Sequence, residues 1–328
     1  MNDDAHKAPP GCVRLIGASL WSRTGSAVDY LLSLRPELAR ANDAQGLRYA
    51  LLHTSGWLVQ WLEGPAEAVD QAWATAQKDS ALRSPRLLHR SVGESKLTQP
   101  VHIATLHGKE RATDVARRLH RVEQQAALGG RAEPHEIWEY LSAPSRFDQA
   151  DAVASVGRRN LVAITSENNE SIDLLRTIAD QDRSAVTYQR FAEEGGDVGA
   201  AYADVVRGRS ITRLQALSRR ALSQRLVRLG LSNLQCLVLL LGSRNSPTPN
   251  LVESAAALLA EAPCPLVQVV GTDRDTLEQA ANILGQLPGL QVTQSCIGPS
   301  PRDRVEAVMA LVPKAPQAAH PPAAGPED

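Results

Sequence analysis

Residues 42–65 decide the fold: Asn42-Asp-Ala-Gln-Gly-Leu-Arg-Tyr-Ala-Leu-Leu-His-Thr-Ser-Gly-Trp-Leu-Val-Gln-Trp-Leu-Glu-Gly-Pro65. Two apolar runs, Leu47–His53 and Trp57–Leu62, flank Thr54-Ser55-Gly56. Runs of that length around a short turn ending in glycine predict a β-hairpin, since glycine reaches the positive φ a tight hairpin turn demands. Upstream, the apolar run Val13–Ala18 predicts a strand. Ser26 then stands as the N-cap of a helix in which Val28, Leu31, Leu32 and Leu38 recur at helical spacing, with Pro36 as a point of bending. Downstream, Ala66–Asp79 carries Val69, Ala72, Trp73 and Ala76 on one face, with Pro65 near its start. Arg86–Ser91 predicts a closing strand. The order strand, helix, hairpin, helix, strand describes a small α+β sheet with helices on one face.

The stretch also resembles the heart of the BLUF family of flavin sensors, over roughly residues 12–106. Asn42 lies four residues before Gly46, which opens the hairpin, and the second hairpin strand ends in Gln60-Trp61-Leu62-Glu63-Gly64. The resemblance implies a ferredoxin-like α+β domain with FAD between its two helices. It also implies that Asn42 and Gln60 bind the polar edge of the flavin, a task suited to amides because each offers both a donor and an acceptor. Three departures stand out. The first strand of the family carries a tyrosine that supplies an electron and a proton to the excited flavin, and here Leu15-Ile16-Gly17-Ala18-Ser19 puts Gly17 in its place. The family's Ile-Thr-Gly at the hairpin start is Leu47-Arg48-Tyr49. Its tryptophan and methionine near the fifth strand are missing from Leu97–Ile103. Gly17 is therefore expected to leave open space beside a ring and Arg48 and Tyr49 to add bulk, with Tyr49 a substitute electron donor if it faces the ring.

Residues 109–128 and 134–141 are helical in pattern and broken at Gly129-Gly130, so 107–157 reads as a helical connector and linker, with the boundary in the small, polar stretch from Ser142-Ala143-Pro144 through Gly157. From 158 to 313, strand candidates Leu161–Thr165, Ala185–Phe191, Cys236–Leu241, Leu266–Val270 and Leu290–Gln294 alternate with helix-like sequence. This predicts an α/β three-layer domain with a mostly parallel sheet covered on both faces. Residues 1–11 and 314–328 lack periodic pattern and read as disordered.

This second domain resembles a degenerate Ras-like small GTPase of the kind bacteria use in regulatory complexes; a flavodoxin-like sheet accounts for the same alternation. The loop Ser166–Ser171, where phosphate would be cradled, has neither glycine nor a Lys-Ser/Thr pair, and Gly271-Thr272-Asp273 replaces the guanine-reading Asn-Lys-x-Asp. Arg207–Arg228 holds seven arginines around Leu214, Leu217, Ala221 and Leu222, which suits a basic amphipathic helix or a solvated helix face covering the sheet.

The 328 residues carry 35 basic and 36 acidic side chains, a formal charge of −1 that gives no general attraction to nucleic acid or anionic membrane. No apolar run reaches the ~18–20 residues that span a bilayer, and the acidic start is unlike a signal peptide, so a cytoplasmic protein is expected. Cys12, Cys236, Cys264 and Cys296 are too scattered for a zinc site and read as reduced thiols; no metal is expected. No catalytic motif stands out. The expected function is that of a bacterial regulatory protein working through a protein partner or as a homodimer, its flavin photochemistry lost, and not an enzyme. An FAD-binding light or redox sensor and a flavodoxin-like oxidoreductase remain open alternatives.

Overall fold

The computed structural model describes residues 11–145, 159–192, 198–207, 210–231, 233–242, 248–261 and 264–312. Residues 1–10, most of the expected linker (146–157) and the tail from 313 lie outside the described residues.

The N-terminal elements are β1 (Cys12–Trp21), α1 (Ala27–Ala44), β2 (Arg48–Thr54), β3 (Trp57–Gly64), α2 (Ala66–Lys78), β4 (Leu82–Gly93) and β5 (Val101–His107). The Ser26 side chain accepts the Asp29 amide at 3.2 Å and caps α1. The helix runs on through Pro36 and ends before Gly46, whose φ of 64° turns the chain toward β2. Ser55 and Gly56, with φ of 45° and 80°, form the two-residue hairpin turn whose twist matches its strands. Strand order is β4-β1-β3-β2 with every neighbour antiparallel, the split βαβ arrangement of a ferredoxin-like sheet; β5 adds in parallel beside β2.

Cross-strand partners share a face. Gly17 opposes Gln60, Gln60 opposes Leu51, and Tyr49 opposes Leu62. This face packs on α1 and α2 through Leu31, Leu47, Val69 and Trp73. The alternate residues Ile16, Ala18, Val59 and Trp61 are just as apolar, and β3 is buried along its whole length. The expectation of helices on one face is therefore incomplete. α3 (Ala112–Ala127) and α4 (Pro134–Ser142), read from sequence as connector, cover the second face with Val115, Leu119, Ile137 and Trp138. The Trp61 and Trp138 rings meet with centroids 5.8 Å apart. Each buried leucine or aromatic here contributes roughly 2–3 kcal/mol.

The remaining elements are β6 (Arg159–Ser166), α5 (Glu170–Asp182), β7 (Thr187–Ala192), β8 (Val198–Arg207), β9 (Ser210–Ser218), α6 (Arg219–Leu222), α7 (Arg225–Leu229), β10 (Leu234–Leu240), α8 (Thr248–Glu261), β11 (Leu266–Gly271), α9 (Arg274–Leu284), β12 (Gln291–Cys296) and α10 (Pro301–Met309). β12, β11, β10, β6 and β9 run parallel in that order, followed by antiparallel β8 and β7. β7 then pairs with β5, so a single twelve-stranded mixed sheet spans both halves of the chain. Alternate residues feed separate cores: Val162, Ile164 and Val238 pack with α5 and α10, whereas Ala163, Leu237 and Leu239 face α6, α7, α8 and α9.

Two sequence expectations change here. Among the described residues of the arginine-rich segment 207–228, Arg207 ends β8, Ser210–Ser218 form β9 and two short helices follow, not one amphipathic helix. Five of its seven arginines are paired with acids brought from elsewhere: Arg207 with Asp182, Arg213 with Asp204, Arg219 with Glu167, and Arg225 and Arg228 with Glu261. The flavodoxin-like alternative fails on strand order. With β6 to β12 numbered one to seven, the order is 2-3-4-1-5-6-7, whereas a flavodoxin sheet places its first strand between the second and third. The antiparallel β8–β9 pair sets both strands on the same side of β6.

Candidate functional site

Between α1 and α2, on the face that carries Gly17 and Gln60, lies a cleft of about 290 Å³. Both amides singled out in the sequence line it. Asn42 sits in the last turn of α1, 6% exposed, and its Nδ2 donates to the Pro100 carbonyl at 3.0 Å. That bond holds the end of α1 to the chain entering β5. Gln60, in the middle of β3, is 2% exposed.

Tyr49 joins them. Its hydroxyl donates to Gln60 Oε1 at 3.1 Å, and burial pushes the phenol well above the usual tyrosine range, so it stays protonated. The sequence left the orientation of this side chain open. Register decides it, because the residue two positions before Leu51 must share the face of Gln60. Arg48, expected to crowd the ring site, points elsewhere and pairs with Asp43 at 3.2 Å.

Gly17 does not leave open space. A Cβ built there would overlap Cζ3 and Cη2 of Trp73, with Cε3 at 3.1 Å, so the indole of α2 lies directly on the bare backbone of β1. Trp73 was legible as part of an apolar helix face, but nothing in the sequence aimed it at Gly17. Among the described residues lining the cleft, Asp79 alone carries a formal charge, and leucines from α1, β2 and β3 form the walls. Four amides (Asn42, Gln45, Gln60 and Gln71) and two phenols (Tyr30 and Tyr49) line this otherwise largely apolar slot, and such groups suit a planar, uncharged ring with alternating donors and acceptors. The donor set thus fits the edge of a flavin, with Asn42 and Gln60 as the residues that would hold it.

The loop after β6, where a phosphate would be cradled, is filled by the chain itself. Ser166 Oγ accepts the Ser171 amide at 3.0 Å, Ser171 Oγ donates to the Leu217 carbonyl at 2.9 Å, and Glu167 accepts from Arg219 at 2.6 Å. Glu167 brings a carboxylate to the start of α5, which repels rather than attracts phosphate. Asp273, in the segment aligned with the guanine-reading loop, caps α9 by accepting the Thr276 amide at 3.3 Å.

The four cysteines are free thiols; burial pushes Cys236 up to about 12 and raises Cys264 as well. Among the described residues no group of side chains is arranged to hold a metal ion, and no helix is long and apolar enough to cross a membrane.

No family model and no curated protein matches the chain. Solved structures give partial likenesses. "BlsA photo-activated state" matches at 20% identity over 40% of this chain and 91% of that one, with a TM-score of 0.28. "BlrB - a BLUF protein, dark state structure" matches at 19% identity over 39% and 95%, with a TM-score of 0.30. The Klebsiella pneumoniae BlrP1 manganese and cyclic di-GMP complex at pH 6 matches at 14% identity over 88% and 76%, with a TM-score of 0.26. At such scores the reading of this chain rests on its own strand order and cleft residues.

Proposed function

We propose that this chain is a regulatory protein that acts by binding another protein, built on a BLUF-like module without the photochemistry of the β1 tyrosine. One observation carries the reading: the Trp73 indole occupies the place beside Gly17 that a phenol from β1 would need. Replacing a redox-active side chain by apolar packing keeps the fold and removes its trigger. The second half supports the same pattern. There Ser166, Glu167 and Asp273 spend their polar groups on internal contacts. On this reading the protein is not a nucleotide hydrolase, and partner binding is its output.

The absorption spectrum of freshly purified full-length protein tests the first half of the proposal, and GTP and ATP hydrolysis assays test the second. A colourless protein without hydrolysis above background is the expected result. A yellow protein whose spectrum shifts to the red under blue light and recovers in darkness overturns the loss of photochemistry. Nucleotide turnover that follows the protein through purification overturns the reading of the second half.

A second reading, an FAD-binding light or redox sensor, is favoured by the Tyr49–Gln60 hydrogen bond and by Asn42 in the same cleft. A bound flavin would supply a light-absorbing, redox-active ring. Asn42 and Gln60 would orient its edge, and Tyr49 would hold a proton at its hydroxyl against Gln60 Oε1. Yellow protein whose colour is lost in Gln60→Leu distinguishes this reading from the first.

A further inference from the structure

The twelve-stranded sheet has two edges, β12 and β4, and they differ in what they leave exposed. β12 is six residues long, and none of its side chains is a large apolar group open to solvent. β4 runs for twelve residues and pairs only with β1 among the described residues. Leu87 and Val92 of β4 are 49% and 66% exposed, and Leu128, just beyond α3, is 88% exposed. Of the four large apolar side chains exposed among the described residues, these three therefore gather at one end of the sheet, while Ile283 lies on α9.

Strand register spreads β4 over both faces. Leu87 and Val92 oppose Gly17 and Val13 of β1, on the side of α2. His89 and Ser91 oppose Ile16 and Arg14, on the side of α3 and α4, where a groove of about 610 Å³ runs between β4 and the turn Gly130–Glu133. A helix laid on the molecule covers one face only. An added strand sends alternate side chains to both faces and also takes up the unpaired N–H and C=O groups of the edge. His89–Gly93 is the regular stretch for such pairing, because the register with β1 slips between His89 and Leu87 and again between Arg86 and Arg83.

The charge of this edge is one-sided. β4 carries three arginines and a histidine and no acidic residue. Asp70 answers Arg90 and Glu123 answers Arg86, whereas Arg131, exposed beside the groove, has no ion pair among the described residues. A second copy paired along the same edge would add three more arginines and a histidine and bring no acid on β4 to meet them, which disfavours a symmetric strand pair.

We propose that the edge of β4 binds an extended segment of a partner protein in which apolar and acidic residues alternate. The segment adds as a further strand, its apolar side chains covering Leu87 and Val92 and its carboxylates meeting Arg131 across the groove. This inference rests on the reading that the chain acts by binding another protein, and it names the surface and the chemistry of that contact. None of Leu87, Val92, Leu128 and Arg131 lines the cleft between α1 and α2.

A fluorescein-labelled peptide of alternating valine and glutamate tests it with the full chain, read by anisotropy and by amide hydrogen exchange. The peptide is expected to bind with Kd below about 1 mM and to protect residues 87–93 from exchange. The same peptide with lysine in place of glutamate, or with alternate amides N-methylated, is expected to bind at least about tenfold more weakly. Leu87→Glu and Val92→Lys, both at exposed positions, are each expected to weaken binding about tenfold, and Arg131→Glu to narrow the preference for glutamate over lysine. The proposal is overturned if the glutamate peptide does not bind, if the N-methylated peptide binds as well, or if protection falls elsewhere. Protection of 87–93 without peptide, in a dimer seen by sedimentation, assigns the edge to a second copy and overturns it too. Each of these outcomes leaves the earlier reading standing, whereas a light-driven spectral change or nucleotide turnover overturns that reading and leaves the peptide result as it is.

Discussion

The Tyr49 hydroxyl on β2 donates to Oε1 of Gln60 on β3 at 3.1 Å, two strands from Gly17, where the resemblance places a phenol. Tyr49→Phe removes that bond and keeps the ring. It is expected to cost about 1 kcal/mol, read from urea denaturation. A cost near zero would mean that the pair does not form in solution.

Gly17 and Trp73 are coupled sterically. Gly17→Ala pushes a methyl into the indole and is expected to cost about 1–3 kcal/mol. Combined with Trp73→Ala, which opens the space, the substitution at 17 should become nearly neutral. A double-mutant cycle measures the coupling, and additive costs would contradict the contact.

Buried histidine makes stability depend on pH. His102 on β5 is 4% exposed, and burial, then Arg35 and Arg225, push it down from 6.5 to about 4. Between those values the unfolded chain binds the extra proton, so stability is full above about pH 6.5 and falls as pH drops toward 4, by up to about 3 kcal/mol. His53 and His89 are shifted in the same direction. Denaturation midpoints measured from pH 7.5 to 4.5 should decline, and His102→Gln should flatten the decline. An unchanged slope in that variant would remove His102 as its source.

The end of α4 is fastened to the second half of the chain by charge. Arg213 and Asp204, both nearly buried, form two hydrogen bonds, Ser145 Oγ donates to Asp204 at 2.6 Å, and Tyr202 donates to the Pro144 carbonyl at 2.9 Å. The guanidinium also lies 4.3 Å from the centroid of the Tyr202 ring. Asp204→Ala leaves a buried cation without its carboxylate and is expected to cost about 3–5 kcal/mol. Thermal unfolding reads that loss, and a shift of less than a degree would show that water replaces the carboxylate.

A buried carboxylate holds the segment before β5. Glu63, fully buried on β3, accepts from Ser95 Oγ at 2.7 Å and from the amides of Lys96 and Leu97 at 2.6 and 2.8 Å. Glu63→Ala strips three donors of their acceptor. Residues 94–100 should then be cut faster by protease, and an unchanged cleavage rate would indicate that other contacts hold the segment.

Local patterns in the sequence reveal the first five elements, because each signal is local: the glycine that ends the hairpin, the serine that caps α1, the apolar stripe of α2. The amides Asn42 and Gln60 are legible for the same reason, through their fixed distance from Gly46 and Gly64. β8 is illegible because Gly199, Ala200, Ala201 and Ala203 have little intrinsic strand preference, and burial between β7 and β9 makes it a strand. β9 is buried on both faces, so its arginine and glutamine side chains follow no periodicity, and Arg213 is tolerated only because Asp204 arrives from the neighbouring strand.

The sequence by itself determined the ferredoxin-like order of the first half, the strands β6, β10, β11 and β12 of the second with the helices after them, the amide pair and the missing phenol. These depend on turns, caps and hydrophobic period, which act over a few residues. Only the tertiary structure decided that Trp73 covers Gly17, that Tyr49 reaches Gln60, and that β5 joins β7 in one sheet. Each of those depends on which side chain from a distant segment arrives at a given point, and that is fixed by strand register and packing across the whole sheet.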